Sequence, residues 1–449
     1  MKRFIKYTLA IVLLSVAWAG LVLYGTLNGW WHKPITKSGD TASFTSAVNE
    51  NIKKKFVGNF AMAIMKNGKV EKEIFYSHNK SVNRNTIFQV SSLSKFVTAV
   101  GVMKLTELEK INLDTPISRY LKRWHLPPSK FDNEQVTVRR LLSHTAGLTD
   151  ELGYSGFENK ESVQTLEESL TKAKDADKGV SGEVKVGIEP NSRWKYSGGG
   201  FTLLQLLVEE TSGQTFNEFM TNSLFKPLNM NSSSYILDDS LKNRLCEFYN
   251  ADKTPAPHLY YTSLAATSFY SSLTDLEIFF QLFLKGQNGE VIGRGQLKPE
   301  TLKAMRDSHW DMMGEKIFGL GCMLYIDIEN NEDIFGHDGK STPPINTAIR
   351  INPVTGDGII VLETGNPDIA TKIASDWVFL KTGKVDTLLF TMLLGKMIKI
   401  LLVGILFIIA AAIWTAIRRL KRKTATNIGI AAGGIFYNVQ PGTTTQLRI

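Results

Sequence analysis

Cysteine is almost missing from this chain. Its 449 residues contain only Cys246 and Cys322, not in a C-x-x-C pair, which excludes a disulfide-built scaffold and makes free buried thiols the expectation. Neither H-E-x-x-H nor G-x-S-x-G occurs, and the seven histidines lack metal-ligand spacing, so no metal or other cofactor is expected. Gly339-Lys340-Ser341 ends like a phosphate loop, but Ile334 stands where that loop needs its first glycine. Internal repeats and low-complexity tracts are absent too. Acidic residues fall short of basic ones, for a net charge of +9, yet this does not point to nucleic acid. Lys2, Arg3 and Lys6 precede one apolar stretch, Arg418, Arg419, Lys421, Arg422 and Lys423 follow another, and the remainder is close to neutral. Such clusters are topology signals, because Lys and Arg resist crossing a bilayer. No basic patch with interleaved aromatics remains, and nucleic acid is excluded as a partner.

Long apolar runs are present twice. Thr8 to Leu27 is uncharged and about the 20 residues that a bilayer requires. A cleavable signal segment is the rival reading, with Ala17-Trp18-Ala19 as its small-x-small site. Because Leu21 to Leu27 continues apolar beyond that site, an uncleaved anchor is favoured. Ile398 to Ile417 is interrupted only by Lys399 near its edge, and the basic run follows at once. The expected organisation is a membrane anchor at 1–28, a linker at 29–57, a folded domain at 58–382, a juxtamembrane segment at 383–397, a transmembrane helix at 398–417 and a cytoplasmic tail at 418–449. With both basic ends in the cytoplasm, the domain would face outward across the plasma membrane.

Within the domain, Phe60 to Met65 and Val70 to Tyr76 flank Asn67-Gly68, a strong hairpin signal. From Ser92 the apolar spacing turns helical, through Leu93, Phe96, Val100, Met103 and Leu108. Residues 100–310 read as mostly helical, with Phe201 to Glu210 and Asp275 to Leu284 the clearest runs. Strands return at Gly321 to Ile328, Thr347 to Ile351 and Gly358 to Glu363, and a helix from Pro367 to Leu380 closes the domain. The predicted class is α+β: an antiparallel sheet built from both ends of the domain and flanked by helices, with a mostly helical lobe inserted.

Ser92-Leu93-Ser94-Lys95 is an S-x-x-K motif. Three residues along a helix place both side chains on one face, where an amine of lowered pKa can take the hydroxyl proton. The spacing alone is cheap, since Ser77/Lys80, Ser169/Lys172, Ser192/Lys195 and Ser223/Lys226 share it. Only Ser92 stands at a strand-to-helix transition, where free helical N–H groups can stabilise an oxyanion; read alone, Ser92 could equally be a helix cap.

Phe88 to Lys95 (FQVSSLSK) resembles the nucleophile segment of serine β-lactamases, D-alanyl-D-alanine peptidases and related esterases. Val136 to Leu148 (VTVRRLLSHTAGL), Trp194-Lys195-Tyr196-Ser197-Gly198 and Phe335-Gly336-His337-Asp338-Gly339 resemble further segments of that family, in its order; Phe269 to Asp275 fits loosely. The resemblance covers about residues 55–380 and implies an acyl-enzyme without metal or cofactor. It makes Ser92 the nucleophile and gives Lys95 and Tyr196 the acid–base work. His337 stands where the third motif often has lysine, and the N–H groups of Ser92 and of Lys340, after Gly339, would form the oxyanion hole. His144 is expected to be a structural hydrogen-bonder. Tyr196 and His337-Asp338-Gly339 also have plain readings, as a half-buried aromatic and as a turn. Gly198 occupies the position where many members carry the asparagine of Tyr-x-Asn, which leaves room for an esterase or a degenerate envelope-binding module. Lys381-Thr382-Gly383 spells the third motif, but Gly383 reads as a helix C-cap. The expected partners are a small-molecule or peptidoglycan-derived substrate and the bilayer.

Overall fold

A computed structural model describes the backbone of residues 2–150, 153–312 and 314–435. It divides into two units, 33–391 and the paired ends 1–32 with 392–449.

The larger unit is organised by eight strands: β1 (Asn59–Lys66), β2 (Lys69–Tyr76), β3 (Trp310–Met312), β4 (Glu315–Phe318), β5 (Met323–Asp327), β6 (Asp333–Ser341), β7 (Ile345–Ile351) and β8 (Gly358–Thr364). They form one sheet in the order β2-β1-β8-β7-β6-β5-β4-β3, with every pair antiparallel. The first and last parts of the domain therefore meet at β1 and β8, as the sequence pattern predicts. The Asn67-Gly68 hairpin forms, with both residues at positive φ, the backbone that such a turn demands.

Seven helices matter to the argument: α1 (Lys2–Leu27), α2 (Thr41–Lys55), α3 (Ser94–Glu107), α4 (Gly198–Ser212), α5 (Leu273–Gln281), α6 (Ile369–Thr382) and α7 (Thr387–Ile435). Side chains alternate across the sheet, and each face has its own core. Ala61, Ala63, Phe335, Ile349 and Leu362 face the inserted helical region, including α3 and α4. Phe60, Met62, Ile334, Ala348 and Val361 face outward against α2 and α6. With both faces covered, β7 and β8 are buried at every residue. The α3 helix is buried nearly all round, which explains why it lacks a polar stripe; its expected apolar Leu108 instead caps the exposed end.

Two expectations are corrected. The linker at 29–57 contains α2, whose Phe44, Val48 and Ile52 are buried against the sheet. Burial of side chains of this size stabilises by roughly 1.5–3 kcal/mol each, so α2 packs as part of the larger unit, which starts at Lys33; its three large apolar anchors are diluted by polar neighbours. Likewise, the juxtamembrane segment 383–397, the span 398–417 and the first part of the tail are covered from Thr387 by a single continuous helix, α7. Residues 436–449 of the expected tail lie outside the described residues.

Gly383 does cap α6, at φ 72° with its N–H on the Phe379 carbonyl, and both cysteines are free and buried. Ile5–Leu27, in the smaller unit, and Thr387–Arg422, in it from Met392, are long and apolar enough to cross a membrane. The Trp18 indole N–H donates to the Leu401 carbonyl at 3.2 Å, above the notch left by Gly404, where a Cβ would overlap the indole.

Candidate active site

The segment expected to carry the nucleophile is built by a short strand pair. Ile87–Gln89 pairs with Tyr270–Ser272, and the Val90 N–H extends the ladder to the Phe269 carbonyl at 2.9 Å. The chain then turns through one 3-10 turn, Ser91–Leu93, into α3. Ser91 enters that turn at φ +51°, a region costly for a residue with a Cβ. Its hydroxyl donates to the Lys340 carbonyl of β6 at 2.8 Å, which ties the turn to the sheet. Ser94 is occupied as well, donating to the Ser91 carbonyl and accepting from the Phe269 N–H. Between these two fixed serines, Ser92 is partly exposed.

Lys95 lies one turn later, 3 % exposed, with Nζ 3.2 Å from Ser92 Oγ and 2.7 Å from the Ala266 carbonyl. Burial pulls its pKa down to about 7, against the opposing pull of the Asp150 carboxylate. It is the only buried lysine among the described residues, whereas the decoys Lys80, Lys172 and Lys226 are exposed. Burial therefore separates the S-x-x-K motifs that spacing cannot.

Tyr196 approaches from the segment before α4. Its ring lies 4.3 Å from the His144 ring, centroid to centroid, and 5.0 Å from Lys95 Nζ. Burial raises the phenol above its usual range, and the Ser92 hydroxyl acts in the opposite direction. The structure thus brings Ser92, Lys95 and Tyr196 together. Gly198 is the first residue of α4 and is buried; the cap is Ser197, which accepts from the Gly200 N–H and donates to Asp150 Oδ2 at 2.6 Å. Asp150 lies just past the quoted Val136–Leu148 signature, with no motif to mark it.

His337 and Gly339 lie on the inner face of β6, not in a turn: a central strand carries the Asp-Gly pair that would favour one. The His337 Nδ1 contacts the Asp338 carbonyl at 2.6 Å. A carbonyl only accepts, so Nδ1 carries the proton and Nε2, which has no partner, keeps its lone pair. Burial and the Lys95 charge lower its pKa to about 4. His144 is the complement: Nδ1 accepts from the Ser197 N–H at 3.2 Å, as its expected structural role implies, and the unpartnered Nε2 carries the proton. Burial holds it well below its usual value too. Both imidazoles are neutral at pH 7.

Gly339 is required sterically. A Cβ there would overlap the Val90 carbonyl oxygen and the Thr347 hydroxyl, which are hydrogen-bonded to each other at 2.8 Å. Gly339→Ala must push β6 away from the nucleophile turn. The expected result is a stability loss of about 1–3 kcal/mol and an acylation rate lower by about 100-fold, measured by denaturant unfolding and by active-site labelling rates.

Lys340 points its ammonium away from the site, to exposed Asp368. Its backbone faces the site. In an extended strand the N–H and C=O of one residue project to the same edge, so the carbonyl's bond with Ser91 puts the Lys340 N–H on the Ser92 side. The β5 strand pairs with β6 only through Gly336, leaving that edge unpaired beyond it.

The Beta-lactamase family model matches residues 45–378, most of the chain. The chain belongs to the Beta-lactamase family. It is 31% identical over 170 residues to a penicillin-binding protein of Bacillus subtilis (strain 168), covering 36% of this chain and 35% of that protein. It is 22% identical over 346 residues to Protein flp of Staphylococcus aureus (strain MRSA252), covering 73% of this chain and 63% of that one. These alignments thus span less than two thirds of either relative. Among solved structures, the octameric penicillin-binding protein homologue from Pyrococcus abyssi superposes with a TM-score of 0.62 at 26% identity, over 77% of this chain and 78% of that one. A Beta-Lactamase/D-Alanine Carboxypeptidase from Pseudomonas syringae gives 0.58 at 17%, over 75% and 97%. The fold of this Beta-lactamase family member is accordingly the β-lactamase and penicillin-binding type.

Proposed function

We propose that this chain is a membrane-anchored hydrolase that cleaves acyl esters through an acyl-enzyme on Ser92. One observation carries the reading: a buried lysine of lowered pKa with its amine 3.2 Å from a partly exposed serine hydroxyl. Neutral Lys95 takes the Ser92 proton as the hydroxyl attacks the ester carbonyl, and Tyr196 returns a proton to the departing oxygen. The N–H groups of Ser92 and Lys340 hold the oxyanion, each worth roughly 3–4 kcal/mol. Water then attacks the acyl-enzyme, with the proton path reversed.

The preference for esters over D-amino-acid peptides or β-lactams rests on two features. His337 is neutral where a lysine often stands, so it offers no fixed cation to a substrate carboxylate. Gly198 supplies no carboxamide to grip a substrate amide. Anchoring is supported by the two apolar helices and by the seat of Trp18 on Gly404, which favours a retained N-terminal segment over a cleaved one. The flanking basic clusters support a domain outside the plasma membrane, with envelope material as its substrate pool.

The test is mass spectrometry of the full-length chain in detergent after exposure to a fluorophosphonate and, separately, to penicillin. A fluorophosphonate adduct on the Ser92 peptide is expected, with short acyl esters turned over and little penicillin adduct. A stable penicillin adduct would shift the reading to a carboxypeptidase. No adduct with either probe would refute the hydrolase in favour of a degenerate envelope-binding module, the role Gly198 also allows.

A further inference from the structure

The outer face of β6 and β7, away from Ser92, carries a connected set of buried polar groups that the reaction does not touch. Arg350, fully buried, donates from Nη1 to Asp338 Oδ1 at 2.6 Å, and the Tyr325 hydroxyl donates to the same oxygen at 2.7 Å. The Thr371 hydroxyl, in the first turns of α6, donates to Asp338 Oδ2 at 2.6 Å. Asn346 completes the circuit. Its Nδ2 donates both to the Thr371 hydroxyl at 2.9 Å and to the Gly339 carbonyl at 3.1 Å, and its Oδ1 accepts the Thr371 N–H at 3.0 Å. The chain of bonds leaves β6 at Asp338 and returns to it one residue later.

We infer that Asn346 and Thr371 are positioning residues that aim the Lys340 N–H at the substrate oxyanion by holding the Gly339 carbonyl. The Gly339 C=O and the Lys340 N–H belong to one planar peptide unit and point in opposite directions. Gripping the carbonyl on the β7 side therefore helps fix the direction of the amide at the opposite, open edge of β6. The clamp adds to the β7 ladder, which pairs Gly339 with Thr347, where β5 has left β6 after Gly336 and β6 is flanked on the β7 side alone among the described strands. Burial makes it rigid: Asn346 has no exposed surface and Thr371 almost none, and hydrogen bonds in such surroundings reinforce one another. This inference rests on the acyl-enzyme reading above, in which the Lys340 amide contacts the oxyanion.

The test uses the full-length chain in detergent with Thr371→Val, which keeps the shape and removes the hydroxyl, and Asn346→Ala. Turnover of a p-nitrophenyl acyl ester is normalised to fluorophosphonate-titrated sites. Backbone hydrogen exchange is followed over 337–341. Because the lost alignment acts only on the transition state, kcat per site should fall about ten-fold or more, with KM within about two-fold. Exchange in 337–341 should quicken while β1 and β8 stay protected, and Thr371→Ser should restore both. Variants that lower the melting temperature but keep wild-type kcat per site would overturn the positioning role. If the wild type turns over no ester, the functional reading fails separately. Exchange then decides the clamp alone: a loosened 337–341 segment upholds it and an unchanged one overturns it.

Discussion

Ser92→Ala should abolish fluorophosphonate labelling and lower ester turnover by at least about 10,000-fold, because removing a nucleophile costs nearly all that a catalytic unit provides. No neighbour can substitute. Ser91 and Ser94 flank it on the same turn, yet the hydroxyl of one is spent on the Lys340 carbonyl and that of the other on the Ser91 carbonyl. Fold stability should change little, since the partly exposed Ser92 side chain holds no element together. Intact-mass measurement of the probe-treated variant, with unfolding midpoints beside it, reads both effects. An adduct persisting at wild-type level would remove Ser92 from the nucleophile role.

Lys95→Arg should be nearly as damaging, at about 1,000-fold in kcat/KM, within the range expected when a general base is lost. The change keeps a cation and most of the packing but installs a group that stays protonated at every accessible pH. The pH profile supplies the sign. Burial lowers the Lys95 pKa to about 7, so the amine is protonated and unable to act as base at pH 6, and is free at pH 8. The wild-type rate should therefore climb by about ten-fold per pH unit below that value and level off above it. His337 is held to about 4 and His144 well below its usual value, so neither imidazole accounts for a limb near 7. In Lys95→Arg that limb should disappear; its survival would assign the base to another group.

Much of this architecture is legible in the residues. The Asn67-Gly68 hairpin, the apolar runs of β7 and β8 and the capped end of α6 each follow from local rules, namely turn chemistry, length of apolar run and a glycine at a left-handed position. Other elements are not, for physical reasons. The α2 helix has three large apolar residues among fifteen and gains its stability from the sheet beneath it, so its pattern alone resembles a polar connection. The β6 strand contains Gly336, Asp338 and Gly339, poor strand formers, and is held extended by β7 through Ser341 and by β5 as far as Gly336.

The same division holds at the active site. Spacing produced five serine–lysine pairs of equal standing, and their order relative to the later motifs singled out Ser92. Burial then makes the choice physical, because among those lysines only Lys95 is buried, and burial lowers its pKa to about 7. Asp150 and the Asn346–Thr371 clamp had no local signal: their partners lie 47 residues away for Ser197 and 25 for Asn346 with Thr371, and no periodicity records such a meeting.

By itself, the sequence determined the chemistry available to this protein, a serine, a lysine and a tyrosine between two membrane-length apolar runs, because residue type and short-range spacing fix reactivity and local conformation. The tertiary structure alone decided which lysine is desolvated beside a serine hydroxyl, which imidazoles stay neutral and which backbone amide lies on the Ser92 side. Those outcomes depend on desolvation and on the direction of backbone groups, and both arise only when distant segments pack against one another.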